Sequence, residues 1–136
     1  MQLTYLCPKH ADWVYNNPQQ AVHFLTRNDM QGSLLYHSGQ YCDAIPYLGC
    51  AFDIAAILLE LEDGNDVTLV NNVKALTFML GSAYQLSQRW DCYQAIHARA
   101  SRLLAAVARY QEHQQQVRTG ESSNPPDAQR PLSASK

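Results

Sequence analysis

Apolar residues along this chain recur at intervals of three and four, and no stretch alternates with the two-residue period of a strand. The clearest run places Ala44, Leu48, Ala51, Ala55 and Leu58 on one helical face, while Tyr47, Ile54, Ile57 and Leu61 add a second. A helix apolar on two sides is sandwiched between neighbours, so this segment reads as the centre of the fold. Pro46 would clash inside a helix, and the pattern therefore starts the helix at an Asp43 cap, after which Pro46 is the third residue.

Ahead of this run, Asn17 followed by Pro18 reads as a helix start, with Asn capping the free amides and Pro placed where its missing N–H costs nothing. That helix extends from about Pro18 towards His37, with Asn28-Asp29 as a point of interruption and Ser38-Gly39 as its stop. Behind it, Glu62-Asp63-Gly64-Asn65-Asp66 forms a turn, with Gly64 available for a left-handed cap and Asn65 or Asp66 for the next N-cap. A third helix gathers Leu69, Val73, Leu76, Leu80 and Ala83. A fourth starts near Trp90-Asp91, gathers Tyr93, Ile96, Ala100, Leu103, Val107 and Tyr110, and continues into the polar run Gln111 to Gln116.

The expected fold is all-α, built from antiparallel helical hairpins with about four main helices. Positions 1–17 read as an N-terminal segment with a turn and one short helix, 18–116 as the helical domain, and 117–136 as a flexible tail too polar to offset its ordering entropy. A chain of 136 residues fits one domain.

Composition narrows the function. Charged residues make up only 16% of the chain against 46% hydrophobic, so the surface is carried largely by Gln, Asn, Ser and Tyr and is adhesive rather than strongly charged. Ten Lys plus Arg against twelve Asp plus Glu, without a basic stripe, argue against a nucleic-acid partner. The longest uninterrupted apolar run, Ile54 to Leu59, is far short of the roughly 20 residues that span a bilayer, and no membrane role is expected. Met1 to Pro8 lacks the basic and apolar regions of an export signal, which points to the cytoplasm. In that reducing compartment Cys7, Cys42, Cys50 and Cys92 read as small buried apolar residues rather than disulfide partners.

The segment from Gly32 through Tyr41 and Ala44 to Ala51 resembles a tetratricopeptide repeat, a helix-turn-helix unit that stacks side by side. Gly32 and Ala44 are the small residues that let two helices approach, Tyr41 the aromatic after the turn, and Ala51 the small residue against the next unit. A second echo runs through Gly81, Tyr84, Trp90 and Ala100, where Trp90 and Ala100 follow Gly81 by the same intervals as Tyr41 and Ala51 follow Gly32; the units lie 49 residues apart (81 minus 32) against about 34 for a standard repeat. It departs from the pattern where Tyr93 replaces a small residue and Gln88 the turn glycine. The resemblance implies a groove for a peptide or protein segment, lined by Asp29, Ser33, Tyr36 and His37 from one unit and Phe78, Ser82 and Gln85 from the other. Basic and Asn residues that clamp a carboxylate are absent from these positions, which leaves aromatic contact and shape for recognition.

No catalytic set emerges. Cys7 and His10 supply at most half of a structural zinc site, and the acidic turn lacks the alternating ligands and distal Glu of a calcium loop. No cofactor is expected. Cys42 and His37 flank a turn without an orienting third group, and His97 sits on an apolar face beside Ile96 and Ala100 as a core or interface residue. The leading expectation is a non-catalytic interaction module of adaptor or chaperone type, with a homodimer expected if the apolar ends of the stack are not capped. The alternative is a helical bundle in which Cys42, His37, Tyr36 and His97 converge on an interior ligand or enzyme pocket. A third reading makes the tail after Arg118 the binding element.

Overall fold

The computed structural model describes residues 3–122, all of whose regular structure is helical. Five helices follow in order: α1 (Pro8–Asn16), α2 (Pro18–His37), α3 (Tyr41–Leu61), α4 (Val67–Leu86) and α5 (Trp90–Ser122). Each of α2 to α5 packs on the next in sequence, and the tight turns between them force neighbours to run antiparallel. Helix α1 lies on α2 and α3, and α2 also reaches α4.

All three of these turns share one hydrogen-bond pattern. After α2, Gln40 N–H donates to Leu35 O and Gly39 N–H to Tyr36 O; after α3, Gly64 N–H donates to Leu59 O and Asp63 N–H to Glu60 O; after α4, Arg89 N–H donates to Tyr84 O and Gln88 N–H to Gln85 O. Ser38 and Ser87 add hydroxyl bonds back to Leu34 O and Ala83 O at 2.8 and 2.7 Å. Each turn has a left-handed residue, Gly39 at φ 82° and, without glycine's freedom, Asp63 at φ 56° and Gln88 at φ 58°. The same helix-ending device thus closes three successive helices.

Small residues set the helix crossings. A Cβ on Gly32 would stand 2.7 Å from Leu48 Cδ2 and 3.0 Å from Leu48 N, and one on Gly81 would stand 2.7 Å from His97 Nε2. Both glycines therefore lie where one helix meets the next at close range.

Helix α3 is the core of the molecule. Ala44, Leu48, Ala51, Phe52, Ala55, Leu58 and Leu59 are buried on it, facing Leu69, Val73, Leu76, Leu80 and Ala83 of α4, with Ile96 and Ala100 of α5 beyond. It is long and apolar enough to cross a bilayer by length and composition, yet most of it is buried within the helical fold. Its second apolar face is only partly covered: Ile54 is buried, whereas Tyr47 and Leu61 are exposed because no helix lies over them.

Several local expectations need correction. Asn17 makes no side-chain cap to α2; its amide donates instead to Trp13 O at 3.0 Å, closing the end of α1. Helix α3 begins at Tyr41 rather than Asp43, so Pro46 is its sixth residue. The ring removes the N–H that would serve the Cys42 carbonyl, a loss tolerated because both residues are exposed and water can substitute. Asn28-Asp29 does not interrupt α2, where the Asn28 amide bonds back to Phe24 O at 2.9 Å. The boundary of a tail at 117 also moves, since α5 continues through Ser122, carried by a helix-favouring Gln-rich run; positions 123–136 lie outside the described residues. The cysteines divide: Cys92 is buried, Cys50 half-buried, and Cys7 and Cys42 exposed, because the last two cap or open helices at the surface.

Candidate functional site

Helices α2 and α4, separated in sequence by α3, approach each other along an open groove of about 600 Å³. Leu25, Thr26, Asp29, Met30, Ser33, Leu34 and His37 line it from α2, and Thr68 and Asn72 from α4. Ser33 links the two walls, donating to Asp29 Oδ1 at 3.1 Å while its hydroxyl also lies 3.7 Å from the Met79 sulfur. Met30 and Leu34, one helical turn apart, are 62% and 65% exposed and present an apolar edge that nothing in the fold covers.

Three of the seven residues expected to face a partner, Asp29, Ser33 and His37, line this groove. Tyr36 does not: it turns inward, half-buried, with edge-on contacts to Tyr41 at 5.4 Å and to His37 at 5.3 Å. Phe78 and Gln85 are exposed on α4 and Ser82 is half-buried there, all outside the lining of the groove. Leu25, Thr26, Met30, Leu34, Thr68 and Asn72 are the lining residues outside the repeat-like expectation. Two exposed apolar residues four apart on α2 were the available signal.

The residues proposed for an interior pocket are dispersed. Cys42 Sγ lies 3.4 Å from Ser87 Oγ at the turn end of the hairpins, His37 is in the groove, and His97 is tilted against Tyr93 with ring centroids 4.5 Å apart. A different cavity, about 420 Å³, lies among α1, α2 and α3, walled by Leu6, Trp13, Val14, Phe24 and Ile54 with His10, Asn28 and Cys50. Trp13 and Phe24 meet edge-on at its mouth, 5.1 Å between centroids. Burial, with Asp53 as a lesser cause, pushes the Cys50 thiol above its ordinary range. That favours the protonated thiol and slows its reactions as a nucleophile.

A third constellation surrounds Asp53, the one buried carboxylate among the described residues. Its Oδ2 accepts from Tyr5 N–H at 2.6 Å and Leu6 N–H at 2.8 Å, and its Oδ1 accepts from Arg99 Nη1 at 2.5 Å. Arg99 also donates to Leu3 O at 3.0 Å and lies 4.8 Å over the Phe52 ring. The Tyr5 and Tyr84 hydroxyls meet at 2.5 Å. Burial and this hydrogen bond push the Tyr5 phenol far above its usual value. A lone carboxylate within the apolar run Cys50 to Leu59 was a legible oddity, but its partners are 46 to 48 residues away and were not. No protein-family description, curated protein or solved structure matches this chain.

Proposed function

We propose that this chain is a non-catalytic interaction module that holds an apolar peptide or protein segment in the groove between α2 and α4. The observation that carries the reading is the exposed Met30–Leu34 edge beside the polar lining of Thr26, Asp29, Ser33, His37, Thr68 and Asn72. Such a mix of apolar edge and hydrogen-bonding groups, with Asp29 as its one carboxylate, suits a partner held by apolar contact and shape with a few polar bonds. Close helix crossings at Gly32 and Gly81, 49 residues apart, favour a tetratricopeptide-like arrangement of an adaptor or chaperone. Four cysteines free of disulfides accord with a cytoplasmic setting.

Affinity capture from the source cell with the natural chain beside a Met30→Asp, Leu34→Asp double variant tests the proposal. Both side chains are exposed, so helix content should stay unchanged while specific capture falls at least about tenfold, the loss of two apolar anchors. Equal capture by both chains refutes the groove. The same edge can also meet a second copy; light scattering that finds a strict monomer at high concentration removes the homodimer.

A second reading rests on the cavity among α1, α2 and α3, whose walls are almost wholly apolar and which suits a small apolar ligand. Trp13 fluorescence reports on it: no response to a panel of apolar probes at saturating concentration eliminates this reading.

A further inference from the structure

The non-helical segment Leu3–Leu6 is held in the way a protein holds a foreign peptide. Two side chains from different helices, Asp53 of α3 and Arg99 of α5, read its backbone at three points, the Tyr5 and Leu6 amides and the Leu3 carbonyl. One side chain is then admitted to a slot. A Cβ on Gly49 would clash with three Tyr5 ring atoms, so the ring packs directly on bare helix backbone, with its hydroxyl on Tyr84. Thr4 between these contacts is exposed and contributes nothing to the grip.

A buried ion pair is a poor device for stability, since apolar residues of like volume serve as well or better. Here Asp53 and Arg99 instead present an acceptor and a donor, spaced to match successive peptide groups. Arg99 is kept in position by its contact with the Phe52 ring. The arrangement selects an aromatic residue with a hydroxyl and reads only the backbone of its neighbours.

We infer that Gly49, Asp53, Tyr84 and Arg99 form a peptide-binding slot, filled in cis by Leu3–Leu6 and open to an external non-helical segment carrying a tyrosine. The tethered occupant acts at an effective concentration on the order of millimolar, so an external peptide succeeds only when it is abundant or the strap is weakened. The slot is separate from the α2–α4 groove, and its test stands whatever the groove binds.

The probe is the blocked peptide acetyl-Leu-Thr-Tyr-Leu-amide carrying a fluorophore, titrated into the full chain and followed by anisotropy. Tyr5→Ala takes the ring and hydroxyl out of the slot, leaves the strap only its backbone bonds, and should bind the peptide at least about tenfold more tightly than the natural chain, by weaker competition in cis. Gly49→Ala displaces the Tyr5 ring but fills its place with a methyl, and should not bind. Adding Asp53→Asn to Tyr5→Ala should cost the peptide at least about tenfold. Equal binding to Tyr5→Ala and the natural chain, or to Tyr5→Ala and Gly49→Ala, overturns the inference. If Tyr5→Ala does not fold, amide exchange in the natural chain decides. Millimolar unlabelled peptide should accelerate exchange at Tyr5 and Leu6 several-fold by trapping the released state, and unchanged rates overturn the slot.

Discussion

Replacing Asp53 by Ala tests the physical reasoning behind the fold most directly. The carboxylate is 4% exposed and accepts three hydrogen bonds, two from backbone amides and one from a guanidinium. Removing one member of a buried charged pair costs about 3–5 kcal/mol, because the partner is left without compensation. Arg99 keeps 24% of its side chain accessible, so its stranded charge can recover some water, and the loss belongs at the lower end, about 3 kcal/mol. Arg99→Met leaves Asp53 its two amide donors and should cost less, about 2 kcal/mol. The double variant Asp53→Ala, Arg99→Met removes both charges together and should fall short of the two single losses combined by about 2 kcal/mol. Urea titration followed by helical circular dichroism gives all three values. A loss below about 1 kcal/mol for Asp53→Ala, or strict additivity in the cycle, would refute the assignment of Asp53 and Arg99 as a coupled buried pair.

Four further outcomes follow. Gln88→Gly should raise stability by about 0.5–1 kcal/mol in the same titration, because a non-glycine residue at φ 58° gives up its left-handed strain while the unfolded chain gains some freedom. Gly32→Ala should be worse than Gly81→Ala by about 1 kcal/mol, since the first Cβ meets the Leu48 backbone as well as its side chain and the second meets the movable end of His97. The Tyr5 phenol, raised above its ordinary value of 10.0, binds its proton more tightly when folded. Its stabilising effect is therefore complete below about pH 10 and declines above it, by up to about 1.4 kcal/mol per pH unit; Tyr5→Phe should flatten that alkaline limb. In thiol titration with a disulfide reagent, exposed Cys7 and Cys42 should react first and half-buried Cys50 more slowly, while Cys92 waits for unfolding; a rapid fourth equivalent contradicts its burial.

Much of this architecture was legible from periodicity. The apolar sets Ala44 to Leu58 and Leu69 to Ala83 are buried as their three-four spacing required, and the Asp66 side chain caps α4 by accepting from Leu69 N–H at 3.2 Å. The candidate groove was half legible. Asp29, Ser33 and His37 line it, but Tyr36 and Phe78, expected beside them, do not: the first is drawn in by Tyr41 and the second is left outside. Helical spacing assigns residues to a face, and which neighbour covers that face depends on how the helices are rotated against each other.

Taken alone, the amino-acid order determined the helices, their turns and the glycines at the crossings, because each rests on interactions within a few residues or on the size of a single side chain. Tertiary structure decided what no local pattern encodes. Asp53 could meet Arg99, 46 positions on, only after α3 and α5 had been brought together, and Tyr5 could find Gly49 and Tyr84 only on the finished surface. A buried charge is tolerated only where its partners converge in space, and that convergence belongs to the packed molecule.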